Sequence, residues 1–347
     1  MAEALASVYP RFNTEGYIAA AVRERFDTRE LKERIKLLAA LLQEFLPSDY
    51  RKAVDILIAA APGLPIFENW IFTSYVEQFG LEHFEDSVAA MQELTKHGTG
   101  EFAIRPYIVR YPDKMVAVLE QWTSDPNEHV RRLAAEGSRP RGVWTMHIEA
   151  FRKDPKPVLK ILEHLKADPS LYVRKAVANN LNDISKDYPD ILLKTAVRWM
   201  KDKNPHTNWI LKHACRSLIK KGVPGVFPLF GFTPSVQLGK VTLATSKRRV
   251  TIGAEFILTC RLVSKAARPQ KLAIDYKIHY VKSNGRTQPK LFKWAEKRLP
   301  AGGSLELSTR HSFAERSTRR HFPGKHLVEL IVNGRPLART SFDLVRG

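Results

Sequence analysis

Three stretches of the chain echo one another, and their spacing limits the fold more than any other feature. Trp122-Thr-Ser-Asp-Pro126 leads to Val130-Arg-Arg-Leu-Ala-Ala-Glu136, and 43 residues later Leu165-Lys-Ala-Asp-Pro169 leads to Val173-Arg-Lys-Ala-Val-Ala-Asn179. Met200-Lys-Asp-Lys-Asn-Pro205 leads, less faithfully, to Ile210-Leu-Lys-His-Ala-Cys-Arg216. Asp-Pro and Asn-Pro each predict a turn, and the apolar residues three or four apart that follow predict a helix. A helix pair recurring every ~40 residues is the pattern of a HEAT-type α-solenoid, in which each pair buries one face on its neighbours.

The helical period extends well outside these stretches. Leu31, Ile35, Leu38, Leu42 and Phe45 follow it, as do Val54, Leu57 and Ile58, then Val116, Leu119 and Trp122. It stops at Gly222-Val-Pro-Gly-Val-Phe-Pro-Leu-Phe-Gly-Phe-Thr-Pro234, through which no helix can run. Beyond that passage the period is two. Phe256, Leu258, Cys260 and Leu262 alternate with other residues, as do Leu272, Ile274, Tyr276, Ile278 and Tyr280. His326 to Val332 and Leu337 to Val345 flank Asn333-Gly334, a strong hairpin signal. The expected architecture is therefore a HEAT-like α-solenoid over residues 1–230 followed by an immunoglobulin-like β-sandwich over 231–347, with about seven short strands. With cysteines only at 215 and 260, the inter-sheet disulfide of antibody domains is not expected, and a reducing cytoplasm suits the chain.

Charge separates the two parts as sharply as periodicity does. The chain carries 56 Lys and Arg against 36 Asp and Glu, a net +20. Residues 231–347 hold 23 of those bases and 7 of the acids, a net +16, which leaves +4 on residues 1–230. One-signed charge on a small domain points to a polyanionic partner. A membrane is not expected to be that partner. No apolar run approaches the ~20 residues needed to span a bilayer, and the N-terminus lacks the basic and apolar regions of a signal peptide.

Several chemistries have no sequence support. The phosphate-binding Gly-x-x-x-x-Gly-Lys-Ser/Thr and Gly-x-Gly-x-x-Gly patterns are absent, as is a Gly-x-Ser-x-Gly elbow. The eleven histidines have no metal-ligand spacing, so neither a metal nor a cofactor is expected. What remains is a set of acids among bases on the second helices of the repeats. Arg132 and Glu136 share a face; Lys175, Asn179 and Asp183 form the matching stripe; Lys212, Arg216 and Lys220 form the next with a one-residue shift. Side by side, these stripes make a basic channel with acids in its middle. By spacing alone, Arg132 and Glu136 serve equally well as an exposed ion pair. Glu101 sits at an apparent helix start, where an acid can also serve as a cap.

Two segments are more specific. Gly100-Glu-Phe-Ala-Ile-Arg-Pro106 and Ala135-Glu-Gly-Ser-Arg-Pro-Arg141, followed by Trp144, resemble the AlkC branch of the HEAT-repeat alkylpurine DNA glycosylases. The resemblance covers the helical part, and a subset of that branch carries a C-terminal immunoglobulin-like domain. Where the branch pattern has Leu-Pro before the tryptophan, this chain has Gly142-Val143. The resemblance implies hydrolysis of the N-glycosidic bond of cationic lesions such as 3-methyladenine and 3-methylcytosine. It assigns Glu136 as the principal acid, Glu101 and Asp183 as further acids, Trp144 as an active-site aromatic and Arg132 as a neighbouring base.

The resulting expectation is a monofunctional DNA glycosylase, monomeric and cytoplasmic, associated with the nucleoid in a bacterium. Its partner is double-stranded DNA containing alkylated bases, held through Arg132, Arg139, Arg141, Lys175, Lys212 and Arg216. No lysine is marked as a Schiff-base nucleophile. The competing expectations are a non-catalytic HEAT-repeat scaffold that binds nucleic acid and an RNA-binding repeat protein.

Overall fold

The computed structural model describes residues 1–315 and 320–347, and the chain divides into two compact units, Met1–Ala214 and Cys215–Gly347. The first unit is helical throughout. The repeats seen in the sequence are helix pairs: Pro112–Trp122 with Glu128–Gly137, Lys156–His164 with Leu171–Asp187, and Pro189–Trp199 with Pro205–Ala214. Helix Leu171–Asp187 packs against both of the other second helices, burying Val173, Ala176, Val177 and Leu181 along with Val130, Leu133, Ile210 and Leu211.

The recurring turn has a physical cause. Asp125, Asp168 and Asn204 each turn a side-chain oxygen back onto the backbone N–H two residues on, at 2.7, 2.8 and 2.9 Å. The arginine of each Val-Arg pair then folds over the turn. Arg131 Nη1 donates to the carbonyls of Asp125 and Pro126, and Arg174 Nη1 to those of Asp168 and Pro169. Arg131 also reaches Asp168 in the next repeat, its Nε lying 2.7 Å from Oδ2. One residue type thus closes its own turn and sets the register with its neighbour.

Among the described residues of the second unit eight strands form two sheets: β1 Leu238–Thr245, β2 Arg249–Thr251, β3 Glu255–Ser264, β4 Gln270–Val281, β5 Thr287–Leu299, β6 Ser304–Ser312, β7 Gly324–Val332 and β8 Arg335–Val345. One sheet runs β1-β3-β6 and the other β2-β8-β7-β4-β5. Both alternating runs read from the sequence face the core. Phe256, Leu258, Cys260 and Leu262 of β3 and Leu272, Ile274, Tyr276, Ile278 and Tyr280 of β4 are all buried. Asn333 and Gly334 adopt positive φ, 46° and 79°, and join β7 to β8 with Val332 opposite Arg335.

The units meet at 214/215, upstream of the 230/231 boundary expected from the Pro/Gly-rich passage. That passage packs on the sandwich. Gly222, at φ 71°, lies so close to Gly334 that a Cβ there would fall 2.5 Å from the Gly334 carbonyl oxygen. Asn333 Nδ2 donates to the Thr233 carbonyl and Lys271 Nζ to that of Phe230, both at 2.8 Å. No helix among the described residues is long and apolar enough to cross a membrane.

Candidate active site

Glu101, Arg132, Glu136, Arg139 and Asp183 come together from four segments of the helical unit and form a chain of alternating charge. Arg132 Nη2 lies 2.5 Å from Glu101 Oε2 and 3.9 Å from Glu136 Oε2. Arg139 bridges the next two acids, with Nη1 2.5 Å from Glu136 Oε1 and Nε 2.7 Å from Asp183 Oδ2. Lys186 closes the series on Asp183 Oδ1 at 2.7 Å. The chain runs inward: the Glu101 side chain is 21% exposed, Glu136 12% and Asp183 2%.

Each member has a local reason for its place. Glu101 precedes helix Ile104–Arg110 in a turn and caps nothing, since that helix has no side-chain cap. Helix Glu128–Gly137 starts at Asn127, whose side chain accepts from the His129 N–H, and carries Arg132 and Glu136 one turn apart. The helix ends at Gly137, where a Cβ would lie 2.8 Å from Ile104 Cγ2. Asn180 Nδ2 donates to the Ala135 carbonyl at 2.8 Å, tying that end to the helix bearing Asp183.

Arg105, from the first sequence motif, holds the second in place. It is buried, and its three nitrogens donate to the carbonyls of Gly137, Arg139 and Met146 at 2.7–3.0 Å. Burial pulls its pKa down to about 10, with Arg139 adding to the drop and Glu101, Glu136 and Asp183 opposing it. Burial lowers the Arg139 pKa as well, yet Glu136 and Asp183 outweigh it, and the net direction is upward. The carbonyl clamp explains why the two motifs occur together. It also bears on Gly142: a Cβ there would lie 2.2 Å from Thr145 Cγ2 and 3.0 Å from Arg105 Cζ, so a larger side chain would have to displace Thr145.

Glu136 keeps one oxygen in reserve. Oε1 is held by Arg139, whereas Oε2 accepts no hydrogen bond among the described residues and has Arg132 only at 3.9 Å. Trp144 is 69% exposed and has φ 61°, a region that non-glycine residues enter at some cost.

The bases expected on the surface are placed unevenly. Lys175 is exposed on helix Leu171–Asp187, and Asn179 is half-buried one turn on. Arg139 is buried between two acids instead of lying outward on its loop. Arg141 is paired with Asp187 at 2.6 Å, and its hydrogen bond holds the Asp187 carboxyl below its usual range. The Lys212-Arg216-Lys220 stripe is broken, because helix Pro205–Ala214 ends before Cys215 and Arg216 opens a separate short helix in the second unit. Sequence spacing missed Tyr172, whose ring lies 5.2 Å from the Arg132 guanidinium, along with Arg105 and Lys186. Lys186 is three residues from Asp183 and was within reach of an i,i+3 reading.

Comparison with known proteins agrees with this architecture. Residues 87–218 match the family model described as DNA alkylation repair enzyme, and residues 240–346 match that of the YhaZ C-terminal Ig-like domain. The chain is 41% identical over 328 residues to the uncharacterised protein YhaZ of Bacillus subtilis (strain 168), covering 94% of this chain and 91% of that one. It superposes on the alkylpurine DNA glycosylase AlkC of Pseudomonas fluorescens, solved bound to DNA containing an abasic-site analogue. That match has a TM-score of 0.93 and 37% identity, and covers 99% of this chain and 96% of that one. With both halves matched and the whole length shared, this chain belongs to the AlkC branch of the DNA alkylation repair enzymes, with a C-terminal Ig-like domain.

Proposed function

We propose that the protein is a monofunctional DNA glycosylase that hydrolyses the N-glycosidic bond of cationic alkylated bases, of the 3-methyladenine and 3-methylcytosine class, in duplex DNA. The observation that carries this reading is the alternating charge chain with Glu136 Oε2 left open at its outer half. An N-alkylated base already bears positive charge, so it departs as a neutral molecule without a general acid. The barrier lies in the oxocarbenium character that develops on the sugar. A carboxylate oxygen fixed by Arg139 stabilises that charge at no cost of reorientation and can align the attacking water. Glu101 and Asp183 deepen the negative potential, Glu101 paired with Arg132 and Asp183 with Arg139 and Lys186.

The exposed Trp144 ring offers a second attraction for a cationic base, worth about 0.5–2 kcal/mol. A neutral base gains little from either group, and this supplies selectivity. The +16 of residues 231–347 suits contacts to DNA phosphates, and the DNA-bound state of AlkC supports DNA as the partner. No cofactor takes part, and the protein acts as a monomer. The test is to incubate the chain with methylated duplex DNA and separate the released bases by chromatography. Release of free 3-methyladenine or 3-methylcytosine, with abasic strands left uncut, is expected. Undiminished lesions after prolonged incubation at enzyme excess refute the reading and favour a DNA-binding scaffold.

A further inference from the structure

Trp144 stands in a loop whose ends are held more firmly than its tip. The ends are locked by the Arg105 clamp on the carbonyls of Gly137, Arg139 and Met146, and by the Ile148 N–H, which donates to the Pro140 carbonyl at 3.1 Å. The tip leaves Val143 and Trp144 exposed, and Arg141 ties one side of it to Asp187. The other side is met by Lys32, in the first turn of helix Leu31–Phe45. Its ammonium donates to the Trp144 carbonyl and lies 5.8 Å from the centroid of the Trp144 ring. Among the described residues this is the one hydrogen bond that Trp144 makes. A tryptophan at φ 61° keeps that backbone only where its surroundings impose it, because the left-handed region costs a residue with a Cβ about 1–2 kcal/mol.

Lys32 is itself anchored well enough to impose it. The same ammonium lies 5.5 Å from the centroid of Phe102, the residue after Glu101. Phe102 stacks on Trp70, with centroids 4.5 Å apart and planes 20° from parallel. Trp70 belongs to helix Ile66–Phe79, from which Gln78 Nε2 donates to the Lys36 carbonyl at 3.2 Å, one turn beyond Lys32. The lysine is thus fixed against the segment that bears Glu101 while it holds the segment that bears Trp144. We infer that Lys32 is a positioning residue for Trp144, setting the indole relative to Glu101 and Glu136. This gives a role in the site to the helices that precede the three repeats, where the sequence shows no candidate functional residue. The orientation of Trp144 stands on these contacts alone, whereas its consequence for base excision rests on the glycosylase reading.

The test has one arm that needs no turnover. The chain has six tryptophans, so the full-length protein labelled with 5-fluorotryptophan gives six fluorine resonances, of which Trp144→Phe identifies one. Lys32→Met, once shown to melt as the parent does, is expected to move that resonance toward the position of the free amino acid. Lys32→Arg keeps a charged donor and is expected to hold it near its parental position. Lys36→Met removes the same charge one turn away, from an exposed side chain, and is expected to leave the resonance unchanged. The second arm is single-turnover release of 3-methyladenine from methylated duplex DNA. Lys32→Met should slow it by about 3- to 30-fold at saturating enzyme while DNA affinity stays within about twofold of the parent. Because Lys32 acts through the tryptophan, adding Lys32→Met to Trp144→Ala should cost nothing further. A resonance unmoved by Lys32→Met, an equal shift in Lys36→Met, or losses that multiply in the double variant overturns the inference. A loss confined to DNA affinity also overturns it and makes Lys32 a phosphate contact. If even the parent releases no base, the glycosylase reading fails, and the fluorine resonance still decides whether Lys32 positions Trp144.

Discussion

Removing the Arg139 side chain is the severest single test of how the site is held together. Its guanidinium touches Glu136 at 2.5 Å and Asp183 at 2.7 Å, and the Asp183 side chain is only 2% exposed. In Arg139→Met the aliphatic stem persists and both charge-assisted hydrogen bonds vanish. Breaking a buried ion pair from one side typically costs about 3–5 kcal/mol, because the surviving charge is left desolvated. Lys186 still reaches Asp183 at 2.7 Å and is itself 44% exposed, so the cost here falls to about 2–4 kcal/mol. Urea unfolding followed at 222 nm reads the helical unit and gives the shift in midpoint directly. The Asp183→Asn variant completes a double-mutant cycle. If Asp183 is the stranded charge, Arg139→Met should cost at least about 1.5 kcal/mol less in the Asp183→Asn background than in the parent. A cost below about 0.5 kcal/mol for Arg139→Met, or strict additivity in the cycle, refutes the view that this arginine neutralises the inner acids.

Three further outcomes follow from the same structure. Trp144→Ala should slow excision of cationic bases by about 3- to 30-fold while Trp144→Phe keeps part of the rate, as single-turnover assays can show; normal turnover in Trp144→Ala contradicts the assignment. Burial raises the Asp275 carboxyl to about 6 from 3.8, so the folded state favours its protonated form; the associated stability is complete below about pH 4 and is lost as pH rises through 6. Asp275→Asn should therefore stabilise the β unit at pH 7.5 by up to about 3 kcal/mol and give no gain below pH 4, as paired pH-dependent melts can check. Replacing Lys290, Lys297 and Arg298 of β5 by Gln should make the salt dependence of DNA affinity shallower, by up to about 0.9 for each phosphate no longer neutralised, and an unchanged slope would show that this strand does not face DNA.

How far the sequence alone reaches depends on the range of the interaction. The repeat was legible because its cause is local: Asp125, Asp168 and Asn204 each bond the backbone two residues on, and such a turn leaves a fixed residue type at a fixed offset. The β3 run and the Tyr276–Tyr280 half of the β4 run were legible because their two faces differ in burial, and Asn333-Gly334 because both residues need positive φ. Arg139 shows where such reading stops. A loop arginine has no period, so its inward turn toward Asp183, 44 residues away, leaves no trace in spacing. The same holds for Arg105, whose three carbonyl partners lie 32 to 41 residues on, and for Lys32, which meets Trp144 across 112. The helix break at Cys215 and the docking of Gly222 on Gly334 belong to the second unit's tertiary packing, which is why a boundary drawn from prolines and glycines fell downstream of the division between the two units.

The central claim is that a fixed Glu136 carboxylate stabilises the sugar cation, and single-turnover release of 3-methyladenine from methylated duplex DNA tests it most directly. Glu136→Gln preserves size and can still accept from Arg139 through its amide oxygen, but it removes the negative charge. At saturating enzyme its rate should fall by two or more orders of magnitude, the scale of a lost electrostatic partner to a developing charge. Affinity for DNA, measured alongside, should hold or rise, since a negative charge near phosphates is gone. A folded Glu136→Gln protein that releases the base at the parent rate contradicts the account.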